Sequence, residues 1–283
     1  MKVFLTGASG ILGTDIFSEL QKDNNEVLGF DSKQIDITNL DEVRKKITDF
    51  KPDMIIHAAA MTNVDLCEED KEAALLANAV GPQNMALCAN EIDAPLVYIS
   101  SCGVYGNGNK MPHRETDETL PVNYHHFTKL EGENRVKEHT SKYFIVRPGW
   151  LFGGTTSHKK NFVEARRKEA LVNHELKSAA DKFGSPTYTL DLAKQIIELM
   201  QANVYGTFNA VNTGTASRFD YVSAIIKAFN FSNKIIPVES NAFPRKANMP
   251  DNEMLENAHL NLINLNRMRP WKDALKEYIV NTY

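Results

Sequence analysis

Cysteine is scarce in this chain: three residues among 283, an odd number without metal-type spacing, so neither a disulfide framework nor a zinc pattern is indicated. Long apolar runs are missing too. None approaches the roughly 20 residues of a membrane-spanning helix, and the N-terminus reads as a core strand, not a secretory leader. Neither sign of charge dominates: 32 Lys and Arg stand against 36 Asp and Glu, a net charge of −4. That balance gives nucleic acid or an anionic membrane no electrostatic attraction. Internal repeats and low-complexity tracts are also lacking. What is left is 42% apolar and 24% charged residues, an ordinary globule expected in the cytoplasm. Its length suits one large α/β domain or a domain with a smaller lobe.

The most informative residues present are the first thirteen. Lys2-Val3-Phe4-Leu5 is a short apolar strand, and Thr6-Gly7-Ala8-Ser9-Gly10-Ile11-Leu12-Gly13 follows it directly. Three glycines at this spacing, between a strand and an amphipathic helix, form a dinucleotide-binding turn. Gly7 permits the tight turn, Gly10 lets backbone approach a pyrophosphate, and Gly13 lets the helix pack on the sheet. Ser9, Ile11 and Leu12 supply backbone at the helix N-terminus, whose free N–H groups and partial positive charge suit phosphates. Asp31, ending the second strand, suits ribose hydroxyls and so favours NAD, or is simply a turn-forming residue. Lys33 nearby tolerates a 2′-phosphate, so NADP or NAD stays open. Asp36 suits the adenine amino group and Thr38 suits the cap of the next helix, two compatible roles.

Strands and helices alternate through the first half. Strands are read at 26–30, 54–59, 96–100 and 143–148, and helices at 40–50, 71–90 and from about 123. Apolar strands between helices predict an α/β fold, a Rossmann-type doubly wound parallel sheet. From about Gly153 the pattern turns to polar helices (159–173, 220–229), short strand-like pieces (206–211) and proline-punctuated loops. The expected organisation is a dinucleotide-binding domain over 1–152 with parts of 183–215. A small C-terminal substrate lobe mainly occupies 153–283.

These residues reach a recognisable pattern. The chain resembles the extended short-chain dehydrogenases and, among them, the dTDP-4-dehydrorhamnose reductases. The likeness runs through the glycine turn, Asp36-Ile37-Thr38, Lys51 to Ala60, Thr62-Asn63-Val64-Asp65, Asn78-Ala79, Arg147 to Gly153 and Phe183 to Tyr188. It implies hydride transfer from a reduced nicotinamide to the C4 ketone of a nucleotide-linked 6-deoxysugar, and a homodimer. It also implies cofactor contacts at Ile37, Ala58, Ala59, Ala60, Asn78 and Lys129. Substrate contacts are implied at Val64, Ser101 and Trp150. In such enzymes the Tyr of a Tyr-x-x-x-Lys helix gives the proton, a Ser or Thr steadies the substrate oxygen, and Lys holds the nicotinamide ribose. Positions four apart on a helix differ by about 40° in azimuth, so both side chains face one cleft.

The chain departs from that pattern twice. Four residues before Lys129 stands His125, not Tyr, and Tyr124 is five before it, about 140° round a regular helix. Three readings follow: His125 is the acid, Tyr124 swings in through an irregular first turn, or reduction is lost and the fold is a regulatory nucleotide-binding subunit. The second departure is Ser100-Ser101-Cys102-Gly103-Val104-Tyr105-Gly106, which is more like the sugar-nucleotide epimerases and dehydratases and keeps an enzyme of that kind as an alternative. Ser101 matches the catalytic hydroxyl. Gly103 removes an aromatic from the sugar pocket and is expected to make room there. Arg147 is either a buried structural cation or a pyrophosphate contact. Lys159, Lys160 and Arg166 to Lys168 read as a basic helix face, solvated or turned to the substrate diphosphate.

Overall fold

The computed structural model describes residues 1–283. The first half builds β1 (Lys2–Thr6), α1 (Ile11–Lys22), β2 (Glu26–Phe30), α2 (Leu40–Phe50), β3 (Met54–His57), α3 (Val64–Glu69), α4 (Lys71–Leu75), α5 (Gly81–Glu91) and β4 (Leu96–Ile99). Then come α6 (Tyr124–His139), β5 (Tyr143–Arg147), β6 (Trp150–Phe152), α7 (Phe162–Val172), β7 (Glu175–Ala179), β8 (Phe183–Gly184), β9 (Pro186–Tyr188), α8 (Thr189–Ala202) and β10 (Gly206–Asn209). The chain ends with β11 (Ala216–Ser217), α9 (Arg218–Ala228), β12 (Lys234–Val238), β13 (Asn252–Glu253), α10 (Ala258–Leu262) and α11 (Trp271–Thr282).

Six strands form one parallel sheet in the order β10-β5-β4-β3-β1-β2. Alternation along each strand buries both faces. Val3, Leu5, Ile56, Val97 and Val146 pack with Leu12 and Ile16 of α1 and Leu192 and Ile196 of α8. Phe4, Ile55, Tyr98 and Ile145 pack with Val43 and Ile47 of α2 and Met85 and Ala89 of α5. Strand order reverses between β1 and β3, so their carboxyl ends frame the crevice where ligands bind in such sheets. β10, within the 183–215 stretch expected to contribute in part to this domain, is the sheet's edge strand.

The stretch read as one helix over 71–90 is three segments, since Leu76–Val80 winds as a π-helix between α4 and α5. The widened turn carries Asn78, a placement π-turns often give to functional positions. Beyond β5 a separate aromatic core, with Trp150, Phe152, Tyr221, Trp271 and Tyr278, holds β6, β9, α9 and α11 together. No helix is long and apolar enough to cross a membrane.

Candidate active site

The glycine turn is built as its spacing predicts. Gly7 has φ of 73°, and a Cβ there would fall 2.6 Å from the backbone nitrogen of Ala59. The Ala58-Ala59-Ala60 segment leaving β3 therefore touches the turn, and only glycine allows it. Helix α1 starts at Gly10 with no side-chain cap and no acidic residue in its first turn. Its first N–H groups are left for an anion, which fits a dinucleotide pyrophosphate. Ser9 and Gly10 are exposed there, Ile11 is half-buried, and Leu12 turns into the core, so it offers only backbone. His158, from the loop after β6, reaches over this end, with Nε2 3.4 Å from Thr14 Oγ1.

Asp31 Oδ1 accepts from the Lys33 backbone N–H at 2.8 Å, and Asp36 Oδ1 accepts from both Thr38 N and Thr38 Oγ1. Both carboxylates thus close turns. The cap of α2 is Asn39, not Thr38, since its side chain accepts from Glu42 N. Ile37 lies against Gly81 at the start of α5.

Lys129 sits on α6 with 2% exposure, its Nζ 4.2 Å from the centre of the Tyr98 ring. Glu133, one turn on, is committed to Arg147 and Ser100 and does not pair with it. Burial pushes the Lys129 ammonium down to about 7, against the pull of Glu133. A buried, unpaired ammonium beside the switch point is what a sugar hydroxyl of a dinucleotide would satisfy. Next to it, His57 bonds Thr6 Oγ1 through Nδ1 at 2.7 Å and stacks on Tyr98. Burial, then the charge of Lys129, pushes His57 down to about 3, so it is neutral. Asn78 makes two bonds to the Met61 backbone and a third to Thr128 Oγ1. It braces the loop after β3 against α6, underneath the crevice.

The start of α6 separates its candidates. Asn123 caps the helix through His126 N, and α6 is regular from Tyr124 onward. Tyr124 is not brought to the crevice. Its ring lies between Lys71 Nζ and Phe127, and its N–H bonds Glu68. The irregular first turn that would swing it in is absent. His125 is brought in: it is 8% exposed, with Nδ1 buried and unpartnered. Burial and then the charges of His126, Lys129 and Lys160 hold its pKa well below the ordinary histidine value. Ser101 accepts from Gly103 N at 3.2 Å, so its hydroxyl proton is free for a ligand.

Gly103 does not open space, contrary to the sequence expectation. A Cβ on it would fall 2.1 Å from the His126 ring, because that imidazole fills the volume an aromatic at 103 would take. Gly103→Ala is therefore expected to destabilise the fold by about 1–3 kcal/mol. Most of that loss should vanish when His126 is also changed to glycine. Urea unfolding of the two single variants and the double variant measures the coupling, and additivity within about 0.5 kcal/mol would show that the two positions do not interlock.

His126 Nε2 lies 4.0 Å from Glu253 Oε1, and the same carboxylate accepts from Trp150 Nε1 at 2.7 Å and from Cys102 Sγ at 3.6 Å. Trp150 is buried, packed on Gly184, with the Arg218 guanidinium 3.4 Å from its ring centre. Sugar would meet this assembly, not an open indole face. Glu253 and Arg218 line a cavity of about 560 Å³, along with Arg166, Lys182, Arg245 and Lys246. Arg166, Lys182 and Lys246 pair with Glu169, Asp251 and Glu69, while Arg218 and Arg245 have no ion-pair partner and suit a diphosphate. Asp65 accepts from Ala247 N at 3.0 Å, and Asn123 donates to Asn248 O at 2.9 Å, so α3 and α6 join this wall. Val64, opening α3, is half-buried. Lys160 lies before α7, not on it, and its ammonium bonds Thr62 Oγ1 across the crevice. Arg147 is the structural cation of the two readings, paired with Glu133 through two bonds of 2.8 and 2.6 Å.

Comparison with known proteins agrees with this geometry. The family model of the RmlD substrate binding domain matches residues 1–283. A dTDP-4-dehydrorhamnose reductase of Mycolicibacterium smegmatis is 34% identical over 281 residues, covering 98% of this chain and 85% of that protein. The crystal structure of a dTDP-4-dehydrorhamnose reductase from Clostridium acetobutylicum superposes with a TM-score of 0.96 at 38% identity, covering 99% of each chain. One from Bacillus anthracis, in complex with NADP, gives 0.95 at 33% identity, also covering 99% of each.

Proposed function

The chain belongs to the family of the RmlD substrate binding domain, and from that premise we propose that it reduces the C4 ketone of a dTDP-linked 6-deoxysugar, with NADPH as reductant. One observation carries the reading: a single helix start joins the two binding regions. Asn123 and His126 of α6 touch the wall of the cationic cavity, and Lys129, three residues on and about 4.5 Å further along the axis, faces the dinucleotide crevice. A ketone bound by its diphosphate in the cavity would meet a nicotinamide between them. The NADP complex of the Bacillus anthracis relative supports that dinucleotide. So does the engagement of Asp31 with Lys33 N, which leaves it less free to select NAD.

The reduced nicotinamide supplies a hydride when bound. Everything else is done by the chain. The turn from Gly7 to Gly13 and the open end of α1 hold the pyrophosphate. Lys129 bonds the nicotinamide ribose, and Ser101 hydrogen-bonds the sugar oxygen. Arg218 and Arg245, the two cavity cations without an ion-pair partner, meet the substrate diphosphate, and Trp150 with Glu253 shapes the sugar end. The reaction belongs in the cytoplasm, and a homodimer is the assembly that goes with it; a monomer mass in sedimentation would retire the dimer.

His125 in the tyrosine position favours a second reading, a nucleotide-binding subunit without turnover. Single-turnover oxidation of enzyme-bound NADPH, and separately NADH, on adding dTDP-4-dehydro-6-deoxy-L-mannose decides between them. Rapid loss of NADPH is the expected result. Tight NADPH binding with no oxidation would assign the second reading.

A further inference from the structure

If the reductase reading is right, on which this inference rests, the reaction needs a proton donor, and the tyrosines on and beside α6 do not supply it. Tyr98 donates inward to the carbonyls of Asn78 and Lys129. Tyr105 is held between Asn209 and Arg147, and Tyr124 faces Lys71 and Phe127. The Cys102 thiol donates to Glu253, and burial raises it well above its ordinary range. His125 occupies the tyrosine position, but its surroundings work against the protonated ring. To donate, it would have to be an imidazolium, which burial disfavours and the adjoining His126, Lys129 and Lys160 disfavour further.

One acidic group remains on that face of α6. We propose that Lys129 is the proton donor of the reduction, taking over the role of the absent tyrosine, while His125 stays neutral throughout. The geometry carries this assignment. Lys129 is 2% exposed, has no carboxylate partner, lies over the buried Tyr98 ring, and stands one helical turn after His125 on the same face of α6. The groups packed around it are His57 on β3, Tyr98 on β4, and His125 and Glu133 on its own helix, with Lys160 reaching in from the loop before α7. Of these only Glu133 is anionic, and it is held by Arg147. An acid titrating near the working pH transfers its proton best, and burial brings Lys129 there. The balance is simple. The carbonyl carbon gains a hydride from the reduced nicotinamide, which is left oxidised, and the oxygen gains a proton from the Lys129 ammonium. The neutral amine then recovers a proton from solvent.

Two measurements test this. The first needs no cofactor and no turnover: the apoprotein made with ¹³C-labelled lysine, with the Lys129 Cε resonance assigned from its loss in Lys129→Arg and followed against pH. A midpoint near 7 is expected, and one near 10 overturns the proposal while leaving the reductase reading intact. The second is the pH dependence of the single-turnover rate. Wild type should lose about tenfold per unit above its midpoint, and His125→Gln should keep that limb at the same pH. Lys129→Arg, with Lys129→Gln as a second variant, should bind NADPH yet react about 10²–10⁴-fold slower with the limb gone. A limb that disappears in His125→Gln, or survives in Lys129→Arg, overturns the proposal. A wild-type protein that oxidises no NADPH overturns the reductase reading and this assignment with it.

Discussion

Arg147→Ala is expected to cost about 3–5 kcal/mol of stability, because it strips a fully buried carboxylate of its countercharge. Glu133 has no exposure and Arg147 3%. The pair makes two bonds, Ser100 Oγ donates to Glu133 Oε1 at 2.5 Å, and Arg147 Nη1 donates to Tyr105 OH at 2.7 Å. Removing the cation leaves the buried anion with only Ser100 and the partly exposed Lys137, 3.6 Å away, so urea unfolding should show a large fall in midpoint. Replacing both with methionine should cost much less, since two apolar side chains leave no orphaned charge. A double variant as unstable as the single one would sink this account. The pH dependence has a definite sign. Burial alone would raise Glu133, but the hydrogen bonds and charge of Arg147 outweigh it and hold its folded pKa below the ordinary glutamate value. The pair's contribution is therefore fully present above the unfolded glutamate pKa of about 4.3. It is lost as pH falls through the lower folded value.

That pair also shows which part of the molecule the chain's order reveals. The glycine turn, the parallel strands and the capped helix carrying Lys129 follow from local signals: glycine spacing, period-two apolar runs and Asn123 before Tyr124. The π-turn at Leu76–Val80 leaves no such signal, because the apolar pattern runs on through it and only Asn78 marks the place. The 183–215 stretch was expected to join the domain only in part, and which part does so depends on pairing with β5, about sixty residues earlier, not on β10's own four residues. α11 was masked by the prolines before it, although Pro270 is where that helix begins.

The candidate site divides the same way. Lys129, His125 and Ser101 were legible as positions in a motif. Glu253 was not, since it lies in a two-residue strand and meets Trp150 across 103 positions of sequence. Arg218 opens a helix whose pattern gives no hint that its guanidinium stacks on Trp150. Gly103 and His126 are the sharpest case. Each alone reads as a departure, a missing aromatic and an extra histidine, and only the fold shows that one fills the space the other leaves.

The same close packing makes Gly13→Ala the most damaging conservative change at the dinucleotide turn. A methyl there would lie 2.0 Å from the Gly7 carbonyl oxygen, 2.8 Å from its carbon and 2.9 Å from Ala8 Cα. All three are backbone atoms, so no side chain can rotate away. Either α1 must move off the turn or the turn must give up the conformation Gly7 holds at φ of 73°. Both shift the uncapped first N–H groups that face the pyrophosphate. Overpacking of this kind costs about 1–3 kcal/mol, occasionally more. If the loss falls on the bound state, it amounts to about 5–150-fold in NADPH affinity. Calorimetric titration of the variant with NADPH, beside its urea midpoint, separates the two destinations of that energy. Weakened binding at an almost unchanged midpoint would mean that the turn relaxes in the free protein, and its shape is enforced only by the ligand. A lowered midpoint with unchanged affinity would mean that the helix end is rebuilt intact after the strain is absorbed elsewhere, and the turn would not be the rigid cradle its contacts describe. Loss of both is the expected result, because the atoms that clash are the atoms that form the phosphate-facing surface.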